Sequence, residues 1–124
     1  MEAVRRSSPK TQTQEMADRP REFLETRQPA TEYLFVPCVS SGRRPYVPMA
    51  ILPAETIIRT PSFAVENHTS IAFGQLQSSM FMAWVRVVSG RFKSDYQITP
   101  GIVYNTFPFL EPDDARKSDV EQAV

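Results

Sequence analysis

The chain has 124 residues, of which 41% are hydrophobic and 10% aromatic, so it can bury one modest core and is too apolar for wholesale disorder. Its 14 basic and 14 acidic residues cancel, which argues against a polycation that grips nucleic acid by charge alone. The only cysteine, Cys38, excludes an internal disulfide and a zinc site built from cysteines.

The charges are unevenly placed along the chain. Residues 40–100 carry six basic and three acidic side chains, whereas residues 111–124 carry five acidic and two basic ones. No apolar run approaches the roughly 20 residues of a membrane span, and no apolar signal segment follows the first charges. We therefore expect a soluble cytoplasmic protein with a basic middle and an acidic end.

Residues 1–32 form a polar lead-in, for which we predict a short helix over 13–25 that Pro20 interrupts or begins. Two apolar runs follow, 33–39 and 46–52, with a polar stretch between them that is typical of a β-hairpin. Prolines within both runs cannot donate to a strand ladder, which places these strands at a sheet edge or a bulge.

Residues 57–58 and 62–65 predict further short strands. A helix is predicted over 75–89, because apolar residues recur there with a helical period and Gly90 can end it. The predicted buried stripe consists of Leu76, Met80, Ala83, Trp84, Val87 and Val88. The apolar residues off that stripe, which predict contact with a second layer or a partner domain, are Phe81, Met82 and Val85.

Residues 96–109 are aromatic and proline-bearing without a clear period, which is typical of an extended strap over a core. We predict an α+β fold: a small, mostly antiparallel, bent sheet packed on one main helix, with an extended C-terminal strap. The predicted organisation is a partly helical lead-in (1–32), a domain core (33–110) and an acidic tail (111–124). That tail is either disordered or the start of a following region.

Sets of catalytic residues are mostly absent. A Cys–His nucleophile pair has to use Cys38 and His68, and we expect a structural thiol in an apolar strand and a loop histidine instead. The sequence holds no glycine-rich phosphate loop, no pair of carboxylates flanked by apolar residues and no metal-ligand spacing. An independent small enzyme built on this pair is therefore the weakest hypothesis.

Two segments carry side chains suited to nucleic acid. The first is the predicted hairpin tip, with Ser40, Ser41, Arg43, Arg44 and Tyr46. Arginine forks onto guanine O6 and N7, and serine bonds phosphate or base edges. A solvated turn has the same composition, so composition leaves both interpretations of the tip open.

The second segment is residues 90–96, which directly follow the predicted helix. Arg91 and Lys93 either neutralise phosphates or complement the C-terminal end of that helix. Arg86, on the polar side of the helix, has the same two interpretations.

Three blocks of the sequence resemble, in the same order, segments of MmeI-like proteins. The run YLFVPCVSSGRRPYVPM (residues 33–49) resembles their YL-x-(V/I)-P-R-V-S-S-E-R-R-x-(Y/F)-I-P-(I/M) segment. The block over 73–96 is similar to their FG-x-L-x-S-x-M-H-M-A-W-x-R and GR-L-K-S-D-Y segments, and IVYNTFPF (102–109) to their IVYNNFPW. The resemblance covers roughly residues 5–110.

In that family, one chain combines an endonuclease, an adenine-N6 methyltransferase that uses S-adenosylmethionine, and a target recognition domain. The resemblance covers only the last part. It implies a sequence-specific module that reads double-stranded DNA in the major groove. The methyltransferase catalytic domain of the same polypeptide or complex, which is expected to hold S-adenosylmethionine, would flip out and methylate the adenine.

This chain departs from the family pattern at four positions. Cys38 replaces the usual Arg, Gly42 a Glu, Phe81 a His and Phe109 a Trp. The Asn/Asp-Pro-Pro-aromatic motif of adenine-N6 methylation is missing because the chain has no Pro-Pro pair. We therefore expect the chain alone to be catalytically silent and to hold no cofactor.

A hypothesis from a different class stays open beside DNA recognition. The apolar residues off the helical stripe predict a protein-interaction module that docks on a catalytic domain. Both roles can hold in one domain.

Overall fold

The computed structural model describes residues 2–19, 22, 28–111, 113 and 117. Its helices are α1 (Glu2–Arg6), α2 (Thr11–Glu15), α3 (Ser70–Leu76) and α4 (Ser79–Val88), with a π-helical turn over Pro100–Tyr104. Its strands are β1 (Tyr33–Pro37), β2 (Val39–Ser40), β3 (Ala50–Leu52), β4 (Ser62–Val65), β5 (Gly90–Phe92) and β6 (Asp95–Gln97). The predicted α+β class with antiparallel strands is confirmed.

The strands form two three-stranded sheets rather than one bent sheet. The first sheet has the order β3–β1–β4 and the second has the order β2–β6–β5. Tyr33 lies opposite Leu52, which confirms the predicted antiparallel pairing for residues 33–35 and 50–52. Val39 pairs with β6 instead, and β1 lies in the centre of its sheet rather than at the predicted edge. The strand over 62–65 is also confirmed, and it pairs with the other edge of β1.

Cys38 is the point at which the chain passes from the first sheet to the second. Its amide donates to the Pro61 carbonyl at 3.0 Å, immediately before β4, and its carbonyl accepts from the Ile98 amide at 2.8 Å, immediately after β6. The two backbone groups of one residue therefore bond to segments of different sheets. This exchange of partners divides the predicted bent sheet into two.

The strand predicted at 57–58 is wrong, because side chains bond to the backbone of this segment. The Gln28 side chain donates to the Thr56 carbonyl at 2.7 Å and accepts from the Ile58 amide at 3.3 Å. The Tyr33 hydroxyl donates to the same Thr56 carbonyl at 2.5 Å. The Thr56 carbonyl and the Ile58 amide therefore bond to side chains, and residues 57–58 form no strand.

The helix predicted over 75–89 is confirmed for the most part as α4 (Ser79–Val88), but its first two residues belong to a separate helix, α3 (Ser70–Leu76). The Thr69 hydroxyl caps α3 by accepting from the Ala72 amide at 3.1 Å. The Ser78 hydroxyl caps α4 by accepting from the Phe81 amide at 3.2 Å. Each cap satisfies an amide that the first helical turn leaves without a partner, so each marks the start of its own helix.

Removing the cap of α4 tests this division. Ser78→Ala is expected to lower the free energy of unfolding by about 1 kcal/mol, the usual cost of losing a serine N-cap. Urea denaturation followed by the fluorescence of the only tryptophan, Trp84, measures the change. Ser79→Ala is the matched control because Ser79 is exposed at the start of the same helix. An equal loss of stability in both variants would contradict the capping role.

The side of α4 that is fully buried differs from the predicted one. The buried residues of this helix are Phe81, Met82 and Val85. The apolar residues exposed on the opposite side are Met80, Ala83 and Val87. Val87 is 83% exposed, so the predicted stripe is wrong at Met80, Ala83 and Val87. Its other members are buried (Leu76) or half-buried against the core (Trp84 and Val88). The helical phase of the predicted stripe was counted from Leu76, which belongs to α3. Because α3 and α4 are separate helices, that phase does not apply to α4.

The hydrophobic core lies between the first sheet, helices α3 and α4, and the C-terminal segment. Its buried residues are Leu34, Val36, Val47, Met49, Leu76, Phe81, Met82, Val85, Tyr96, Ile98, Val103 and Phe107. These residues come from both sheets and from both helices. The core therefore fixes the second sheet relative to α4.

The C-terminal strap is extended only in part. In the π-helical turn, the Asn105 amide donates to the Pro100 carbonyl at 2.8 Å. The Gln75 side chain then holds the strap, donating to the Leu110 carbonyl at 2.7 Å and accepting from the Leu110 amide at 2.9 Å. These two bonds mimic the pairing of a neighbouring strand and attach the strap to α3.

The lead-in contains α1 and α2, which the Arg5 guanidinium joins by donating to the Met16 carbonyl at 3.0 Å and the Arg19 carbonyl at 3.2 Å. Of the helix predicted over 13–25, residues 13–15 lie in α2 and residues 16–19 are not helical, while residues 20, 21 and 23–25 lie outside the described residues, as does most of the predicted tail. Within the described ranges, we find no helix with the length and apolarity to cross a membrane.

Candidate nucleic-acid interface

The second sheet brings together the two segments that the sequence predicts for nucleic acid. Ser40 at the end of β2 lies opposite Tyr96 in β6, and Tyr96 lies opposite Arg91 in β5. The chain leaves Ser40 directly into the arginine loop, which we define as residues 41–46. The β5–β6 hairpin, residues 90–97, therefore lies beside the base of this loop.

Backbone hydrogen bonds shape the arginine loop around Ser41. Its carbonyl accepts from the Arg44 amide at 3.1 Å, and its hydroxyl accepts from the Arg43 amide at 3.3 Å. Such a serine-centred turn closes a short loop without a second strand. Arg43 and Arg44 are exposed, and Tyr46 is 46% exposed. The loop thus presents two guanidinium groups and a phenol to solvent.

Ser40 differs from the other predicted contact residues of the loop because it is buried. Its side chain is only 4% exposed, beside Tyr96 in the sheet. A direct bond to DNA stays a prediction that this burial does not support. We therefore leave Ser40 out of the contact set proposed below.

The Arg91 guanidinium lies over the Tyr96 ring, 3.9 Å from the ring centroid. Its Nη1 also donates to the Ser94 carbonyl at 3.3 Å, across the turn of the hairpin. Lys93, at the tip of that turn, is exposed and has a φ of 58°, in the left-handed region. The two cations of the hairpin therefore have different surroundings: Arg91 packs on the protein and Lys93 extends into solvent.

Arg86 is the third basic residue predicted outside the loop. It is exposed in the last turn of α4, where a positive charge is favourable near the helix C-terminus. After α4 ends at Val88, the chain passes through the extended Ser89 directly into β5, so Arg86 lies at the end of α4 that leads to the hairpin.

The combined surface is strongly basic. Its two segments, residues 40–46 and 86–96, carry five basic side chains and a single acidic one, Asp95. Such a surplus attracts a polyanion even though the net charge of the whole chain is zero. Five of the six basic residues of the range 40–100 therefore lie in or next to the second sheet.

The residues considered for catalysis do not come together. Cys38 bonds to Pro61, before β4, whereas His68 follows the far end of β4. The four residues of that strand separate the two ends by about 10 Å or more, at roughly 3.3 Å per residue. Burial raises the pKa of the Cys38 thiol, which keeps it protonated and weakly nucleophilic at neutral pH. The described residues hold no cluster of metal-ligating side chains either.

Comparison with known proteins relates this chain to a known family. The family described as "MmeI, target recognition domain" matches residues 1–111. The chain belongs to this family. Its resemblance to MmeI-like proteins is thereby confirmed, and the matched range includes the arginine loop, the hairpin and the lead-in.

Two relatives of this target recognition domain are informative. It is 37% identical to DNA methyltransferase A of Bacillus subtilis (strain 168) over 112 residues, which is 90% of this chain and 13% of that protein. It superposes with a TM-score of 0.81 and 31% identity on the type IIL restriction-modification enzyme MmeI, solved in complex with DNA. That match covers 98% of this chain and 16% of MmeI, so the chain spans less than a fifth of either relative.

The four departures from the family pattern fall into two groups. Three of them are structural positions: Cys38 joins the two sheets, and Phe81 and Phe109 contact Phe107 edge to face at 5.1 and 5.0 Å. Only Gly42 lies on the basic surface. Of the two aromatic positions, Phe81 is buried in the core, whereas Phe109 is 39% exposed.

Sequence reasoning missed Tyr96 as the residue that connects the two basic segments. A signal was present, since Gly90–Phe92 and Asp95–Gln97 flank a two-residue turn as a short hairpin would. The pairing of this hairpin with β2 had no local signal. It depends on the exchange of sheets at Cys38.

Proposed function

We propose that this chain is the DNA-reading domain of a larger adenine-N6 DNA methyltransferase or restriction-modification enzyme. The observation that carries the proposal is the single basic surface formed by the arginine loop and the β5–β6 hairpin, on a fold shared with an enzyme solved in complex with DNA. Its partner is double-stranded DNA, and it acts beside the methyltransferase catalytic domain of the same polypeptide or complex.

In this proposal, the arginine loop supplies the contacts that distinguish bases. Arg43 and Arg44 are exposed at the tip, where a guanidinium can bond guanine O6 and N7 in the major groove. Tyr46 and Ser41 supply hydroxyl groups for base edges or phosphates. The loop is short and closed on itself, so its contacts cover few base pairs.

Arg86 and Lys93 supply contacts that position the domain on the phosphate backbone. Both are exposed and lie in the segments that flank Arg91. Phosphate contacts add affinity and fix orientation, but they carry no sequence information. The surface thereby divides into a loop that selects bases and flanking cations that hold the duplex.

The chemistry belongs to the rest of the enzyme. S-adenosylmethionine would bind in the catalytic domain and supply the methyl group to an adenine flipped out of the duplex. This chain contributes recognition only, consistent with the separation of Cys38 and His68 at the two ends of β4.

The hypothesis of a docking module was based on residues of α4 that prove to be buried. Phe81, Met82 and Val85 are at most 2% exposed, so they cannot meet another domain. Docking on a catalytic domain would have to use other residues. DNA recognition is therefore the function that the described surface supports best.

A binding selection with the intact protein tests the proposal. We expect a random duplex pool, passed repeatedly over the protein, to yield one short enriched sequence. Binding to that duplex should weaken with salt, with a slope of about −2 in a plot of log K against log salt. Each phosphate contact contributes about −0.9 to that slope, and Arg86 and Lys93 supply two. A pool without enrichment, or binding without salt dependence, would reject the proposal.

A further inference from the structure

We infer that Arg91 is a positioning residue: it fixes the arginine loop on the β5–β6 hairpin and thereby sets where Arg43 and Arg44 meet the bases. The inference rests on the proposed function and assigns Arg91 a role other than contact with DNA. It follows from a set of contacts that converge on Gly42.

The first observation is a row of side chains across the second sheet. Ser40, Tyr96 and Arg91 occupy directly opposed positions on the three strands, and opposed side chains share one face of a sheet. Ser40 and Tyr96 are 4% and 6% exposed, whereas Arg91 is exposed. The Arg91 side chain therefore forms the outer layer over Tyr96, directly beside the start of the arginine loop.

The second observation is that the Arg91 guanidinium is already engaged. Its carbon lies 3.9 Å from the Tyr96 ring centroid, and its Nη1 donates to the Ser94 carbonyl at 3.3 Å. The stacking uses the flat face of the guanidinium, and the hydrogen bond uses its edge. Both interactions tie Arg91 to the hairpin rather than to solvent.

The third observation is the close approach of Gly42 to all of these groups. A Cβ at Gly42 would lie 3.0 Å from the Ser94 carbonyl oxygen, 3.6 Å from Arg91 Nη1 and 3.9 Å from the Tyr96 ring. The loop backbone thus rests on the atoms that Arg91 organises. Arg43 follows Gly42 directly, so a shift of this contact moves the base-reading side chains.

Lysine cannot replace arginine in this role. It keeps the positive charge but has no planar group to lie on Tyr96 and no fixed N–H edge for Ser94. A phosphate contact, in contrast, tolerates lysine well, because a point charge suffices. The Arg91→Lys substitution therefore separates positioning from charge.

The test compares the affinity of the intact protein for its selected duplex with that for a shuffled duplex of the same composition. For Arg91→Lys, we expect this ratio to fall about tenfold, the effect of roughly one lost base contact, with the salt slope unchanged. Lys93→Asn should weaken binding to both duplexes alike and make the slope shallower by about 0.9. Asparagine tolerates the left-handed φ of 58° at this position.

Gly42→Ala extends the test to the other side of the contact. Its added Cβ meets the Ser94 carbonyl at 3.0 Å, so it should lower the ratio as Arg91→Lys does. Gly101→Ala is the matched control, because a Cβ there meets nothing within 4 Å. The control should retain both the ratio and the slope.

A readout without DNA keeps the inference separate from the proposed function. Glycine-selective ¹⁵N labelling yields one amide signal for each of the four glycines. Arg91→Lys should shift the Gly42 signal and leave those of Gly74 and Gly101 in place, whereas Lys93→Asn should spare all three. This result supports the contact even if the wild-type protein selects no sequence, which would reject the proposed function alone.

An unshifted Gly42 signal in Arg91→Lys would overturn the inference. So would a retained ratio in Arg91→Lys combined with a shallower salt slope in Arg91→Ala, because that pattern identifies Arg91 as a phosphate contact.

Discussion

Phe81→Ala is expected to lower the free energy of unfolding by about 3–5 kcal/mol, the usual cost of deleting a buried phenylalanine ring. The Phe81 ring is fully buried on the core side of α4 and packs edge to face on Phe107, with ring centroids 5.1 Å apart. Domains of this size are stable by only about 5–15 kcal/mol, so the variant should approach the limit of folding. Urea denaturation followed by Trp84 fluorescence measures the loss.

Met80→Ala is the control for that measurement, since Met80 lies on the other side of α4 and is 47% exposed. We expect a much smaller change in the free energy of unfolding than for Phe81→Ala. If Met80→Ala cost as much as Phe81→Ala, the stripe predicted from periodicity would face the core after all. The pair of variants therefore decides the orientation of the helix.

Arg43→Ala combined with Arg44→Ala is expected to abolish sequence selection. One bidentate contact to guanine discriminates by about 1–3 kcal/mol, so losing both should reduce the preference for the selected duplex by at least about 30-fold. Both side chains are exposed, so the free energy of unfolding should hardly change. The measurement is a repeat of the duplex selection with the double variant, followed by affinities for the selected and shuffled duplexes.

A control of equal charge separates this effect from simple loss of positive charge. Lys10→Ala with Arg19→Ala removes two cations from the lead-in, where both side chains are exposed. Within the described residues, the Arg19 side chain makes a surface ion pair with Glu22 at 3.0 Å, which contributes little to stability. The control should retain the enriched sequence. Unchanged site selection by the Arg43 and Arg44 variant would refute base reading by the loop.

Arg91 and Lys93 show why contact roles are difficult to assign from sequence. The two cations are separated by one residue, and their side chains have the same formal charge. The structure places one guanidinium on a tyrosine ring and leaves the other cation in solvent. The difference arises because Tyr96 lies opposite Arg91 on the neighbouring strand, and strand pairing is a long-range property.

Much of the family assignment was predictable from the sequence, because three ordered blocks of residues carry it and the family match over residues 1–111 confirms it. The strand over 62–65 and the pairing of the two apolar runs were also predictable, since short apolar segments bounded by polar residues favour strands. The break between α3 and α4 had a local signal as well: Thr69 and Ser78 are N-cap residues.

The family, the antiparallel α+β class and the segments that carry the cations can be predicted from the sequence, because ordered motifs and local patterns are properties of the chain alone. Which side of α4 is buried is a property of the packed fold, since the helical phase depends on where the helix begins and what it packs against. The same holds for the basic surface. It exists because β2, which follows the change of sheets at Cys38, pairs with β6. This pairing brings the arginine loop against a hairpin about 50 residues further along the chain, a contact that no local propensity encodes.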